Sequence, residues 1–212
     1  MSLDRTEFVD ACHIAFRLAS RPEVSEAWDR ESSCAGMTVG GLTHHMLGQA
    51  RNLARFLAQP PTTDSPIALL DHYAGAAWVT AEPEDEANTS IRDEGNEAAE
   101  VGRSAVLAEV APLIDQLPGL LRTPREPDTI FIPWQGWALT TDDFLVTRAM
   151  ELMVHADDLA ASVGLPTPEF PGTVAAHVVD LLGGVAMRRH GQAAVVRALS
   201  RPQRAPESVS AF

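Results

Sequence analysis

The sequence predicts an all-α fold, an antiparallel helical bundle with long, irregular connections. Three observations support this prediction. Apolar residues recur every three or four positions through much of the chain, which is the spacing of one face of a helix. Proline, glycine and capping residues divide this pattern into four substantial helices and a C-terminal one. The chain has 212 residues, of which 45% are hydrophobic and 21% charged, so it can bury a core of ordinary size.

Capping and breaking residues set the expected helix boundaries. Thr140 or Thr141 caps the helix that carries the most informative segment. Pro112 is expected to kink or divide the long helix in the middle of the chain, and Gly183-Gly184 to weaken the last one. Residues 121–137 are expected to form a loop with one β-like patch, TIFIPW. The four substantial helices are expected over about residues 4–20, 38–58, 88–117 and 141–163, and the C-terminal helix over about 173–199. Residues 67–80 are a candidate for a further, short helix.

Two units are expected along the chain. Residues 1–165 form the bundle, and residues 166–212 form a helical extension that packs on it and finishes in a loose tail, RPQRAPESVSAF. The acidic segment AEPEDEANTS is expected to be a solvated connection. A simple up-and-down bundle needs only tight turns, so the long connections predict loops that carry function at one end.

Charge and composition exclude several classes of partner. The net charge of -13 argues against binding to nucleic acid or to an anionic membrane surface. No apolar run approaches the roughly 20 residues that cross a bilayer, and the N-terminus lacks a signal-peptide core, so we expect a cytoplasmic protein. Cys12 and Cys34 lack CxxC spacing and predict no disulfide framework. Cys12 is expected in the core and Cys34 near the surface.

The segment RAMELMVHADDLAASVG, residues 148–164, places a charged row beside an apolar seam. Glu151, His155 and Asp158 each precede a seam residue by one position, so they lie at the edge of the core. Burying charge is costly unless a partner is present, and Glu151 and His155 are one helical turn apart. Inward-facing Glu and His side chains are a known way to build a metal site in a bundle. The seam comprises Leu145, Ala149, Leu152, Ala156, Leu159 and Val163.

A third metal ligand is expected in the segment GLTHHMLGQARNLARFL. His45 lies beside the apolar row that contains Leu42 and Met46, whereas His44 is in line with Arg51 on a face expected to meet solvent. The same position at the edge of a seam therefore favours His45, with His44 as the alternative because helix phase can drift near a terminus. Three protein ligands would leave an open position for chemistry.

Simpler interpretations stay open for each of these residues. A Glu and a His one turn apart often form a weak surface pair, and a His beside a seam is often a hydrogen-bonded core residue. Asp158 either orients His155 or faces solvent. Arg148 either forms a salt bridge, which is the commoner outcome, or binds an anionic substrate; Arg148 and Asp158 are the predicted catalytic residues. The histidines without a partner at ligand spacing are expected to be structural: His13, His72, His177 and His190.

Two segments resemble the mycothiol-dependent maleylpyruvate isomerase family, which belongs to the DinB-like helical-bundle metalloproteins. The first is MTVGGLTHHML, in which Met37 stands where the family usually has tryptophan and the register places the metal ligand at His45. The second is DDFLVTRAMELMVHADDLAASVGLP. The family motif Arg-x-x-Glu-x-x-x-His-x-x-Asp-Leu-Ala is matched in place by Arg148, Glu151, His155, Asp158, Leu159 and Ala160. The resemblance covers about residues 5–165.

The resemblance implies a DinB-like four-helix bundle that holds a divalent ion through His45, Glu151 and His155. Zinc is the expected ion, with nickel or another divalent ion as the alternative. It also implies mycothiol, a low-molecular-weight thiol, as cosubstrate and a small electrophile as its reaction partner. An ion with an open position lowers the pKa of a bound thiol and so provides a thiolate at neutral pH. The isomerase itself has a further C-terminal α/β domain, whereas the extension here is predicted as one helix.

Three functions are consistent with these residues. The first, which we favour, is a metal- and thiol-dependent transferase or isomerase. The second is a metal-dependent hydrolase with water in the open position. The third is a non-catalytic metal-binding protein with a role in stress or interaction, including a homodimer. Turnover that requires thiol, turnover without thiol and no turnover distinguish the three.

Overall fold

The computed structural model describes residues 2–81 and 84–212 and confirms the all-α prediction. The described residues form ten helices, one two-stranded hairpin and a short 3-10 turn. The elements are α1 (Arg5–Ala19), α2 (Pro22–Glu26), α3 (Val39–Leu57), α4 (Leu69–Gly75), α5 (Ala77–Thr80), α6 (Glu86–Ala99), α7 (Arg103–Arg122), β1 (Thr129–Ile132), β2 (Trp137–Thr140), α8 (Thr141–Val163), α9 (Gly172–His190), α10 (Gln192–Ser200) and the 3-10 turn Pro202–Arg204.

Four helices, α1, α3, α7 and α8, form the core of the bundle. Helix α3 packs against α7 and α8, and α1 packs against the same two helices. Helix α6 covers α3 from outside, and α9 covers α8. The predicted apolar seam of α8 faces this core, with Val163 partly buried at its end. The fully buried seam residues are Leu145, Ala149, Leu152, Ala156 and Leu159.

The starts of α3 and α8 are fixed by threonine caps, Thr38 for α3 and, for α8, Thr140, which is one of the two residues predicted for that role. The Thr38 hydroxyl accepts a hydrogen bond from the Gly41 backbone N–H at 2.9 Å. The Thr140 hydroxyl accepts one from the Asp143 N–H at 3.0 Å. Each cap satisfies a backbone donor that the first helical turn leaves free. The residue at which each of these helices begins therefore follows from its cap.

Two predicted helices are each divided in the structure at a glycine that was not the expected position of the break. The helix predicted over residues 88–117 is α6 and α7, separated at Gly102, and Pro112 lies inside α7 without dividing it. The single C-terminal helix is α9 and α10, separated at Gly191 rather than at Gly183-Gly184. Both Gly102 and Gly191 have φ of 82°, which is strained for any residue with a side chain.

The acidic segment AEPEDEANTS is only partly a connection. Helix α6 begins within it at Glu86, with Asp85 at the N-cap position. Glu82 and Pro83 lie outside the described residues. Acidic residues near a helix N-terminus are favourable because the helix dipole is positive there.

The loop predicted over residues 121–137 contains one strand of a hairpin. The patch TIFI is β1, as its composition suggested, and it pairs antiparallel with β2, which was not predicted. The hairpin leads directly into α8. It also holds the segment before α4, because the Ala138 carbonyl accepts a hydrogen bond from the Ile67 N–H at 2.9 Å. The hairpin thus fixes α4 relative to α8.

The end of the tail is packed, although the sequence predicted a loose segment. The Arg189 guanidinium donates to the Ala211 carbonyl at 3.4 Å, and the His190 ring lies 2.8 Å from the Ser210 carbonyl. Ala211 is buried. The Phe212 ring packs on Trp78, with the ring centroids 4.8 Å apart. The tail therefore returns to the region of α5.

Among the described residues, α7 is the one helix long and apolar enough to cross a membrane by length and composition. It was not singled out in the sequence. Its apolar face packs in the bundle against α1 and α3. Core helices of globular proteins pass the same test, so the finding is weak evidence for a membrane span. The buried residues of α7 are Val106, Val110, Ile114, Leu117 and Leu121.

Candidate metal centre and its cavity

The packing of α3 against α8 brings His45, Glu151 and His155 together; we call these three residues the ligand cluster. Glu151 Oε2 lies 3.3 Å from His45 Nε2 and 3.2 Å from His155 Nε2. One ligand atom from each residue lies within 4.8 Å of the others. Two imidazole nitrogens and a carboxylate oxygen suit zinc and other divalent ions. The donor set and its convergence therefore fit the divalent ion that the sequence predicted.

The ligand cluster is stabilised by mutual electrostatics. Burial opposes ionisation of Glu151, but hydrogen bonds with His155 and His45 outweigh it and hold its pKa well below the usual range. Burial likewise opposes protonation of His155. Hydrogen bonds with Asp158, Cys34 and Glu151 outweigh that effect and raise its pKa well above the usual range. A negative carboxylate thus lies at the centre of the cluster.

Asp158 contacts Nδ1 of His155, the ring nitrogen that does not contact Glu151. Asp158 Oδ2 lies 3.1 Å from His155 Nδ1, so the orienting role fits better than a solvent-facing one. The Cys34 thiol donates to the same oxygen at 3.3 Å. Burial raises the pKa of Asp158, but the hydrogen bonds with His155 and Cys34 outweigh it, and the net shift is downward. Cys34, His155 and Asp158 form a second group of ligand type that shares His155 with the cluster.

Arg148 does not form the salt bridge that was the commoner expectation. Its guanidinium donates to the Gln49 side-chain oxygen and to the Thr147 hydroxyl, and it lies 5.0 Å from the centre of the Phe144 ring. No carboxylate of the described residues forms an ion pair with it. Since Arg148 lines the cavity above the ligand cluster, its positive charge is available to a bound anion.

His44 lies on a face of α3 that was expected to meet solvent, and this holds at Arg55 but is wrong nearer to His44. Gly48 on the same face is buried, and Arg51 is largely covered. Arg51 donates to His44 Nε2 at 2.7 Å and lies 3.3 Å from a carboxylate oxygen of Glu109 on α7. Burial, followed by the charge of Arg51, lowers the pKa of His44 to about 4. In the described part of the chain, His44 belongs to neither group of ligand-type residues.

A cavity of about 950 Å³ opens over the ligand cluster and has a second side made largely of aromatic residues. His72, Tyr73, Trp78 and Phe212 lie on that side, and we call them the aromatic wall. His72 was expected to be structural, and the other three residues were not predicted to belong to a site. Their one shared signal is that His72, Tyr73 and Trp78 occur close together in a segment without a clear helical period.

The comparison with known families agrees with this site. Residues 9–160 match the family model of the mycothiol maleylpyruvate isomerase N-terminal domain. The chain belongs to this family. The matched range contains the ligand cluster, Arg148 and Asp158, and it ends before α9, so Phe212 lies outside it. No curated protein and no solved structure matches the chain.

Proposed function

We propose that this member of the mycothiol maleylpyruvate isomerase N-terminal domain family is a metal-dependent enzyme that activates a low-molecular-weight thiol, namely mycothiol. The thiolate reacts with a small electrophile, either in S-transfer or in isomerisation. The observation that carries the proposal is the convergence of His45, Glu151 and His155 at an open cavity. Family membership supports mycothiol as the thiol. As part of the proposal, we place the enzyme in the cytoplasm, where thiols stay reduced.

In this proposal the ligand cluster holds a divalent ion, zinc first and nickel or another ion as alternatives. When bound, such an ion lowers the pKa of a thiol and makes a thiolate available at neutral pH. His45 and His155 approach from α3 and α8, so the packing of two long helices sets the spacing of the ligands. The three side chains are 15–25% exposed, which leaves one side of the cluster facing the cavity.

Arg148 and Asp158 have supporting roles in the proposal. Asp158 holds the ring of His155 through Nδ1 and so directs Nε2 toward Glu151. Arg148, held by Gln49 and Thr147, provides a fixed positive charge for an anionic group of the electrophile. The contacts of Arg148 to two uncharged side chains leave its charge uncompensated, which supports this role.

Elemental analysis of bound metal per chain tests the site. Wild type should contain nearly one ion per chain, and His45→Ala, Glu151→Ala and His155→Ala should each lose it. The matched control is His44→Ala, which removes a neighbouring imidazole from the same helix and should keep the ion. Absence of metal from wild type, or its retention in all three ligand variants, would refute the metal centre.

Consumption of mycothiol tests the reaction. Metal-loaded wild type should consume the thiol with members of a panel of small electrophiles, and the Glu151→Ala protein should not. Hydrolysis of a panel member in the absence of thiol would replace this proposal with the metal-dependent hydrolase. Bound metal without any turnover would leave a non-catalytic metal-binding protein.

A further inference from the structure

Helix α4 presents two buried polar side chains to the cavity, His72 and Tyr73. His72 is 5% exposed and Tyr73 is 2% exposed, and both line the cavity above the ligand cluster. Neither belongs to a group of ligand-type residues among those the structure describes. Buried polar groups normally have hydrogen-bond partners, so the hydrogen-bonding state of these two side chains indicates what the cavity is built to bind.

The tautomer of His72 is fixed by Trp137. The indole N–H of Trp137 lies 3.0 Å from His72 Nδ1, and an indole nitrogen can only donate. His72 Nδ1 is therefore an acceptor, which places the ring hydrogen on Nε2. Burial, followed by the positive charge of Arg148, lowers the pKa of His72 to about 4. At neutral pH the ring is uncharged and presents an Nε2–H donor.

Tyr73 is held as a neutral donor by its surroundings. Its ring makes an edge-on contact with His72, with the centroids 5.0 Å apart, and also packs on Trp78 and Phe212. Burial, followed by the negative charge of Glu151, raises the pKa of the Tyr73 phenol. The hydroxyl therefore keeps its hydrogen. The three neighbouring rings restrict the position of the phenol ring, and the hydroxyl hydrogen can turn toward an acceptor.

Neither donor is used within the described part of the protein. No described residue accepts a hydrogen bond from His72 Nε2 or from the Tyr73 hydroxyl, and neither atom is among the fully enclosed polar atoms without a partner. Both atoms therefore keep access to the cavity that their side chains line. The two side chains line the same cavity as Glu151 and Arg148, and the charges of both residues act on them.

We propose that the His72 Nε2–H and the Tyr73 O–H form a donor pair that binds an oxygen atom of the electrophile on which negative charge develops. Both donors belong to side chains that line the same cavity, and neutral donors stabilise a developing oxyanion, as those of an oxyanion hole do. The substrate class is then a carbonyl compound. The catalytic role rests on the proposed thiol chemistry, whereas the presence of the donor pair does not.

The reaction step can be written for an α,β-unsaturated ketone. The thiolate sulfur forms a bond to the β-carbon, and the electron pair of the carbon–carbon double bond moves to make the enolate. The enolate oxygen accepts hydrogen bonds from His72 and Tyr73. Protonation of the α-carbon by water completes the addition and returns hydroxide, which takes the proton of the next thiol. No redox reagent is required.

Two electrophiles of similar size separate a donor role from a structural one. Addition of mycothiol to benzylideneacetone places negative charge on oxygen, whereas displacement from benzyl chloride places it on chloride. Tyr73→Phe should lower kcat/KM for benzylideneacetone by about 100-fold and change the value for benzyl chloride by no more than about threefold. His72→Leu should have the same selective effect. The control Phe212→Leu alters the same wall without removing a donor and should affect both reactions alike.

Binding of para-nitrophenol gives a readout that needs no turnover. The ionised form carries its charge on oxygen and absorbs visible light, so titration of the full-length chain reports its dissociation constant. Tyr73→Phe should bind the ionised form about tenfold more weakly than wild type, and the same ratio should appear in the His45→Ala background. Equal binding by wild type and Tyr73→Phe would overturn the donor pair, as would an equal loss on both electrophiles. Lack of thiol turnover in wild type with intact probe binding would instead refute the proposed function.

Discussion

The ligand cluster and the aromatic wall line the same cavity but differ in the charge state of their buried polar side chains. In the ligand cluster, hydrogen bonds with His155 and His45 favour the ionised form of Glu151, and hydrogen bonds with Asp158, Cys34 and Glu151 favour the protonated form of His155. In the aromatic wall, His72 and Tyr73 are both uncharged at neutral pH. A carboxylate paired with a protonated imidazole can exchange the proton for a metal cation, whereas neutral hydrogen-bond donors can bind an oxygen acceptor. In the proposed reaction, the ligand cluster therefore binds the metal ion and the aromatic wall binds an oxygen atom of the electrophile.

The architecture of the two sides differs in the same way. The ligand cluster comes from the interiors of α3 and α8, which are 19 and 23 residues long. The aromatic wall comes from α4, α5 and the tail, where the helices are seven and four residues long. Long packed helices fix distances between charges, which is what a metal centre requires. The short helices α4 and α5 are sufficient for the aromatic wall, where a single contact such as that of Trp137 with His72 can orient a side chain.

Adding metal should have the largest effect on the free energy of unfolding, and this effect should depend on the ligand cluster and not on the aromatic wall. Zinc at about 1,000 times its dissociation constant should raise the free energy of unfolding of wild type by about 4 kcal/mol, because the ion binds only the folded chain. Tyr73→Phe should show the same gain, since it leaves the ligand cluster intact. Glu151→Gln should show almost none. Chemical denaturation with and without zinc measures each value, and a full gain in Glu151→Gln would contradict the assignment.

Removing the support of one ligand should have a smaller effect. Asp158→Asn should weaken metal binding by about 10- to 100-fold, because an amide holds the His155 ring less firmly than a carboxylate. Competition with a chelator measures the affinity. Asp157→Asn is the matched control: Asp157 is exposed and contacts Thr167 rather than the cluster, so affinity should be unchanged. Equal losses in the two variants would remove the orienting role.

Lowering the pH should reduce the free energy of unfolding because His72, in the aromatic wall, resists protonation in the folded protein. The pKa of His72 is about 4 in the folded protein, below the value of about 6.5 for a free histidine. As the pH falls below about 6.5, the unfolded chain binds a proton that the folded chain does not, so the folded state loses stability until about pH 4. Between pH 7 and 5.5, the loss due to His72 should be about 1 kcal/mol.

Denaturation of wild type and His72→Gln at both pH values measures this contribution. The difference between the two pH values cancels any constant packing change in the variant. His44 titrates over the same range in both proteins and cancels as well. The variant should therefore lose about 1 kcal/mol less than wild type. The same loss in both proteins would show that His72 is not held neutral.

The residues of the ligand cluster could be selected from the sequence because helical period places each of them at the edge of an apolar seam, although their convergence depends on the packing of α3 against α8. His45 and Glu151 lie one residue before a seam residue, as does His155, and the threonine caps fix where each helix begins. A period of 3.6 residues over four or more turns specifies which side chains share a face. Asp158 lies three positions after His155 on the same helix, and the sequence left open whether it contacts that ring, as it does, or faces solvent.

The aromatic wall was not accessible in that way. Helix α4 is too short for its period to be read, and its placement depends on the contact between Ile67 and the hairpin residue Ala138. His72 gains its tautomer from Trp137, 65 positions away. Such contacts are formed by tertiary structure, and local sequence carries no trace of them. The same holds for Phe212, because chain ends are usually mobile.

The break between α6 and α7 illustrates a further limit. The apolar spacing continues across both helices, so the pattern predicts one helix from residue 88 to 117. Gly102 ends that continuity because its backbone adopts a positive φ. Proline was the stronger signal in the sequence, yet Pro112 lies within α7. A glycine marks a permitted break, and packing decides whether it is used.

The smallest effect tests whether the tail is part of the aromatic wall. Phe212 packs on Trp78 and Tyr73, with ring centroids 4.8 Å and 5.7 Å away. Phe212→Ala should lower the free energy of unfolding by about 0.5–1 kcal/mol, since it removes partly buried aromatic contacts. Leu199→Ala is the control, because Leu199 is 82% exposed on α10 and its truncation should change stability little. Fluorescence of the tryptophans should change in Phe212→Ala alone, and equal behaviour of the two variants would mean that the tail does not contact the wall in solution.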